Sequence, residues 1–152
     1  MRRTSILAAA AMTAWLAAPP AHACTVSATG VAFGAYDTLS AAPDDGTGSI
    51  VLVCHPNVHA PSVELDAGLS GLFSPRRMNS GAAALDYNLY TSATRLIVWG
   101  NGLGGSVAVT LTGGGVTAGQ RTFERTIYGR IPAGQSVPAG TYGDTIVVTV
   151  VF

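Results

Sequence analysis

His55 and His59 stand four residues apart, the spacing that would set two metal ligands on one helix face. Pro56 between them and Pro61 just beyond argue against a helix there. The histidines are therefore read as loop residues, and no metal is expected. Gly100-x-Gly102-x-x-Gly105 has the glycine spacing of a dinucleotide-binding turn. Such a turn works by opening a helix whose N-terminus holds pyrophosphate. Here Ser106 to Leu111 alternates in the manner of a strand, so the glycines read as a turn and no cofactor is expected. Serine, histidine and aspartate are all present, but no Gly-x-Ser-x-Gly turn strains a serine into a nucleophile, and no catalytic residues are assigned. Tyr87, Tyr90 and Trp99 could offer faces to a sugar. Tyr87 is in phase with Leu85 and Leu89, which favours the core, and Tyr90 lies on the opposite face. The chemistry these residue types do favour is a single disulfide between Cys24 and Cys54, given an oxidising compartment.

That compartment is indicated by the first 23 residues. Arg2 and Arg3 supply charge, Ile6 to Ala18 an apolar run, and Ala21-His22-Ala23 a small-x-small cleavage site. The apolar run falls short of the roughly 20 residues a membrane span needs. Residues 1–23 are thus expected to be a signal peptide and residues 24–152 the mature domain. A lipid-modified Cys24 is the rival reading, weakened by Ala21 and His22 before it. The mature charges are Arg76, Arg77, Arg95, Arg121, Arg125 and Arg130, with no lysine, against eight acids. A weakly acidic surface without basic clusters argues against nucleic acid or an anionic membrane as partner.

The elements that must position these residues read as short strands. Thr25 to Tyr36 is strand-like but broken by Gly30 and Gly34, with Phe33 expected to be buried. Ala41 to Gly48 reads as a turn and Ser49 to Cys54 as a central strand. Val63 and Leu65 alternate with polar neighbours, and Ala67 to Arg77 is a glycine- and serine-rich connection. Leu85 to Tyr90, Arg95 to Trp99, Ser106 to Leu111 and Arg121 to Ile131 are further strands. In the last of these, Phe123 and Ile127 share a face on which Arg125 also falls. No helical period appears beyond residue 23, so the chain is expected to be one all-β sandwich.

The last stretch, Gly140 to Phe152, organises the rest. With period two, Ile146, Val148, Val150 and Phe152 form one wholly apolar face. A strand this apolar belongs inside a sheet, because an unpaired edge would be adhesive. Its missing neighbour is expected from another polypeptide.

Several segments together resemble the spore coat protein U family, which includes the pilins of archaic chaperone–usher systems. They are Cys24 to Thr29 with Phe33 to Tyr36, Leu85 to Tyr90, Trp99 to Gly102, Tyr128 to Gln135, and Gly140 to Thr145. The resemblance implies an incomplete immunoglobulin-like, pilin-type β-sandwich lacking its final strand. It implies a secreted structural subunit that accepts a donor strand in a groove beside its C-terminal strand. The expected groove residues are Tyr142, Ile146, Val148, Val150 and Phe152. The expected partners are a periplasmic chaperone, an outer-membrane usher and other pilin subunits, with neither nucleic acid nor a small-molecule substrate. Fibre-forming members carry a donor segment ahead of the first cysteine. The predicted cleavage leaves none here, which implies a terminal tip or adaptor subunit, or alternatively a self-contained spore-coat or matrix protein. Leu72 and Phe73, apolar within a glycine-rich loop, are the residues considered for surface contact.

Overall fold

A computed structural model describes residues 24–152; the signal-peptide reading of residues 1–23 lies outside the described residues. Nine strands follow one another: β1 (Cys24–Ala32), β2 (Asp44–Cys54), β3 (Ser62–Leu65), β4 (Arg76–Ser80), β5 (Ala83–Tyr90), β6 (Val109–Thr110), β7 (Gly115–Thr117), β8 (Gln120–Ile131) and β9 (Val148–Val151). One 3-10 turn, Gly68–Ser70, interrupts them. The larger sheet runs β1-β2-β8-β5-β4, with β7 attached to β8, and the smaller runs β6-β3-β9. This is the expected all-β, immunoglobulin-like sandwich.

Period-two alternation builds the core from both sheets. Ile50 and Leu52 of β2, Leu85, Tyr87 and Leu89 of β5, and Phe123, Ile127 and Ile131 of β8 face Val63 and Leu65 of β3. Trp99 is fully buried among them, and its indole Nε1–H donates to the Val63 carbonyl at 3.0 Å. With Tyr87 also buried, these two rings are not an exposed platform for sugar. The loop after β8 is clamped by Gln135, whose side-chain amide both accepts from the Asp86 N–H and donates to the Asp86 carbonyl.

Cys24 and Cys54 are disulfide-bonded and face each other across the first rung of the β1–β2 ladder. A sulfur so engaged is not available for a lipid thioether. Changing Cys54→Ser is expected to cost about 3–4 kcal/mol, since the bond closes a loop with a sequence separation of 30. A urea denaturation midpoint unchanged from the parent would contradict this.

Four expectations about strands are corrected. Asp44 to Gly48, expected in a turn, is the start of β2. Its glycines serve close approach: a Cβ on Gly48 would lie 2.5 Å from the Thr29 carbonyl oxygen, and one on Gly46 2.7 Å from that of Ala32. Arg95 to Trp99 is a loop, because the chain reverses at Ser92–Arg95 and Arg95 takes a positive φ of 53°. Only Val98 and Trp99 make isolated bridges. Ser106 to Leu111 contracts to the two residues of β6. Residues 76–80, of which the first two were assigned to a connection, form β4, whose inward pattern is masked by an arginine at Arg76. On β8, Arg125 is exposed while Phe123 and Ile127 are buried.

A candidate acceptor groove

β9 bonds to β3 along one edge, pairing Leu65 with Val148, Glu64 with Thr149, Val63 with Val150 and Ser62 with Val151. Among the described residues no strand pairs with its other edge. Ahead of it, Val147 is tied to the end of β3 by two bonds. Its N–H donates to Asp66 Oδ1 at 3.0 Å, and its carbonyl accepts from the Asp66 N–H at 3.1 Å. Further back, Gly143 exchanges backbone bonds with Asn79 of β4.

The facing lip belongs to β1. Paired residues on antiparallel strands point to the same face, so Val26 and Ala28 share the inward face of Leu52 and Ile50. Both β2 partners are 0% exposed, yet Val26 is 42% exposed. Its inward surface is therefore uncovered from the opposite layer. Between the lips lies a cavity of about 360 Å³, walled by Ala28, Val31 and Phe33 on one side and Ile146 and Val148 on the other. Leu65, Leu89 and Ile127 contribute its floor. A second cavity of about 730 Å³ shares Val31, Phe33, Met78 and Tyr142 with the first, and extends it to Tyr36 and Val137. Through these shared walls they make one furrow, mostly apolar in its smaller part between the lips and mixed in character in the larger.

The end of β1 and the residues after it lie over their own sheet because three glycines leave room for them. Val31 and Phe33 seat over Gly46, Gly48 and Gly129; a Cβ on Gly129 would lie 2.6 Å from Phe33 Cζ. The Phe33 ring then meets Tyr87 edge-on, with centroids 6.0 Å apart. Phe33 is thus half-buried, as a wall of the furrow rather than an interior residue. The polar feature of the floor is the Tyr87 hydroxyl, which donates to Asp144 Oδ2 at 2.7 Å. Burial, reinforced by this bond and by the Asp144 charge, pushes the phenol well above its ordinary pKa, so it stays a donor.

Of the residues expected at such a groove, Tyr142 lines both cavities, and its hydroxyl donates to the Pro138 carbonyl at 2.8 Å. Ile146 and Val148 form a wall. Val150 packs against the core without lining either cavity, and Phe152, beyond the last rung, is 65% exposed. The disulfide sits outside the furrow's lining. Leu72 and Phe73 lie elsewhere, on the loop before β4. Leu72 is exposed, whereas Phe73 is half-buried, with the Arg76 guanidinium carbon 5.3 Å from its ring centroid. Val26, Ala28, Val31 and Phe33 were missed as groove residues. Their signal was the apolar alternation of β1 matched by glycines in β2 and β8.

His55 Nδ1 accepts from the Asn57 N–H at 3.3 Å, and both loop histidines are exposed. Among the described residues no cluster of three or more metal-ligating side chains forms. Gly102, Gly104 and Gly105 all take positive φ, as a turn requires.

Comparison with known proteins places these features in context. The profile of the Spore Coat Protein U domain matches residues 9–149. Protein U of Myxococcus xanthus is 36% identical over 133 residues, covering 79% of this chain and 70% of the relative. Among solved structures, the chain is similar to one in the CsuC–CsuE chaperone–tip adhesion subunit pre-assembly complex, from the archaic chaperone–usher Csu pili of Acinetobacter baumannii. The TM-score is 0.62 at 25% identity, and the match covers 85% of this chain but 39% of that chain.

Proposed function

Because the chain belongs to the Spore Coat Protein U domain family, a structural rather than enzymatic group whose membership implies an extracellular surface location, we propose that it is a strand-accepting subunit of a chaperone–usher fibre. The observation that carries this reading is the one-sided pairing of β9 beside an open apolar furrow. A strand laid between β9 and β1 would satisfy free main-chain groups and drop alternate side chains onto Leu65, Leu89 and Ile127. At about 25 cal/mol per Å² of apolar area, several buried side chains contribute several kcal/mol, less the cost of ordering the incoming segment. During assembly the donor would be a periplasmic chaperone, and at the usher a neighbouring subunit. The resemblance to a chain of a chaperone–tip subunit complex supports this assignment.

Within the fibre the subunit is terminal. Cleavage after Ala23 would make Cys24, which lies on β1, the first mature residue. Nothing would then precede β1 to act as donor, so the subunit accepts a strand without giving one. Leu72, with Leu69 and Leu103 also exposed, is the surface proposed to meet a substratum; Phe73 underlies it.

Removing Val148–Phe152 is expected to abolish co-purification with a co-expressed chaperone of this fibre class. Undiminished recovery of the complex would overturn the reading. A mature N-terminus found well ahead of Cys24 by mass spectrometry would overturn the terminal placement. The 36% identity to Protein U favours one alternative, a self-contained coat or matrix protein. That alternative predicts a stable, soluble monomer on periplasmic expression without any chaperone.

A further inference from the structure

Between the furrow and the apolar loop that follows β3 stands one carboxylate with three bonds. Asp144 lines the furrow. Its Oδ2 accepts from the Tyr87 hydroxyl in the floor, and its Oδ1 accepts from the Thr145 N–H at 2.8 Å and from the Leu69 N–H at 2.9 Å. Leu69 belongs to the 3-10 turn Gly68–Ser70, whose tip carries the exposed Leu69 and leads directly to Leu72. The turn is shaped to admit this carboxylate. Gly68 has a positive φ of 65°, and a Cβ there would collide with the Asp144 side chain.

Besides the two bonds between Asp66 and Val147, where Asp66 Oδ1 also accepts from the Gly68 N–H, the loop is fastened to the sandwich at three places, two of them through side chains that do not line the furrow. The Asp66 carbonyl accepts from Arg76 Nε and Nη2, and the Phe73 carbonyl accepts from Asn88 Nδ2. The third fastening, between them, is Leu69 to Asp144. Asp144 itself sits on a segment, residues 144–147, that belongs to no strand. That segment is held at Gly143 by Asn79 and at Val147 by Asp66. An incoming strand along the furrow would add a partner on the side now open.

Taking the strand-accepting reading as its basis, we propose that Asp144 couples the two surfaces: occupancy of the furrow fixes residues 144–147, and Asp144 passes that order to the Gly68–Leu72 turn. The apolar loop is then set in its contact geometry only once the subunit has a strand in place. The coupling is reciprocal by thermodynamic linkage, so loosening the turn weakens strand binding by the same factor. Asp144 is a positioning residue in this scheme, acting through a backbone amide rather than on the incoming strand alone.

The test follows amide hydrogen exchange in the full mature chain, with and without a synthetic strand peptide alternating valine and threonine, binding being measured separately by calorimetry. Peptide binding is expected to slow exchange of the Leu69 amide by about tenfold, in step with its effect on β9. In Asp144→Ala the peptide should still bind, more weakly, and Leu69 should lose its response. Asp144→Asn, which keeps an acceptor toward Leu69, should restore the response. Gly68→Ala, with the carboxylate intact but displaced, should weaken peptide binding although Gly68 itself does not line the furrow. Peptide binding to the parent with Leu69 exchange unchanged would overturn the coupling and leave the acceptor groove standing. Failure of the peptide to bind at all would overturn both.

Discussion

Replacing Arg76 with alanine is expected to destabilise the protein by about 3–5 kcal/mol, a large share of the 5–15 kcal/mol typical of a domain. Arg76 is 0% exposed, on β4, and makes no ion pair among the described residues. Burial lowers its pKa from the ordinary guanidinium value, while Tyr87, Asp66 and Asp144 act in the opposite direction. What holds the charge is a set of acceptors: the Asp66 carbonyl at 2.7 Å, the Trp99 carbonyl at 2.8 Å and Asn88 Oδ1 at 2.8 Å. Alanine would orphan the two carbonyls, leave Asn88 Oδ1 with the Leu89 N–H alone, and open a cavity beneath Phe73. Arg76→Lys should recover only part of the loss, because a compact ammonium cannot span acceptors arranged for a planar fork. Urea unfolding monitored by tryptophan fluorescence measures the effect. A shift below about 1 kcal/mol would show that the buried guanidinium is dispensable.

The second large effect concerns the furrow. Val148→Asp is expected to weaken binding of a strand peptide or chaperone by more than about a hundredfold. The carboxylate would be driven into an apolar wall as the incoming strand excludes water. With the furrow open, Val148 is only partly buried, so the aspartate can stay hydrated and the fold should survive. Val151→Asp serves as the control. Val151 alternates to the outward face of the same strand and is 48% exposed, so binding should be nearly unchanged. Titration calorimetry, with circular dichroism to confirm folding, distinguishes the two. Equal losses from both variants would mean that the strand's faces are not used as proposed.

Much of this architecture could be read in the amino-acid sequence, for a physical reason. Alternation in Val63–Leu65, Leu85–Leu89 and Ile146–Val150 reports which face turns inward, and the folded protein respects it. Pairing of Cys24 with Cys54 followed from there being no other cysteine. The failures have a common cause, residues whose role depends on distant contacts. Gly46 and Gly48 look like turn residues until Val31 and Phe33 are found lying across them. Arg76 hides a buried strand because a charge reads as exposed unless its acceptors are known, and those come from residues 66, 88 and 99. The β1 lip escaped notice because exposure of Val26 is informative only once its pairing with Leu52 is established. Phe152 kept its phase in the pattern but lies past the last rung of the ladder.

Among the described residues, the two lips of the furrow come from the first and the last strands in chain order, β1 and β9. One is locked early, since β1 pairs with the very next strand and is covalently joined to it. The other follows every other strand onto the scene, and docks only through β3. A polypeptide threaded through a membrane from its N-terminus would therefore present half a binding site for most of its translocation. A helper already waiting at the exit could seat itself on the finished half and act as a template on which the latecomer folds, making recruitment a step in maturation rather than a sequel to it.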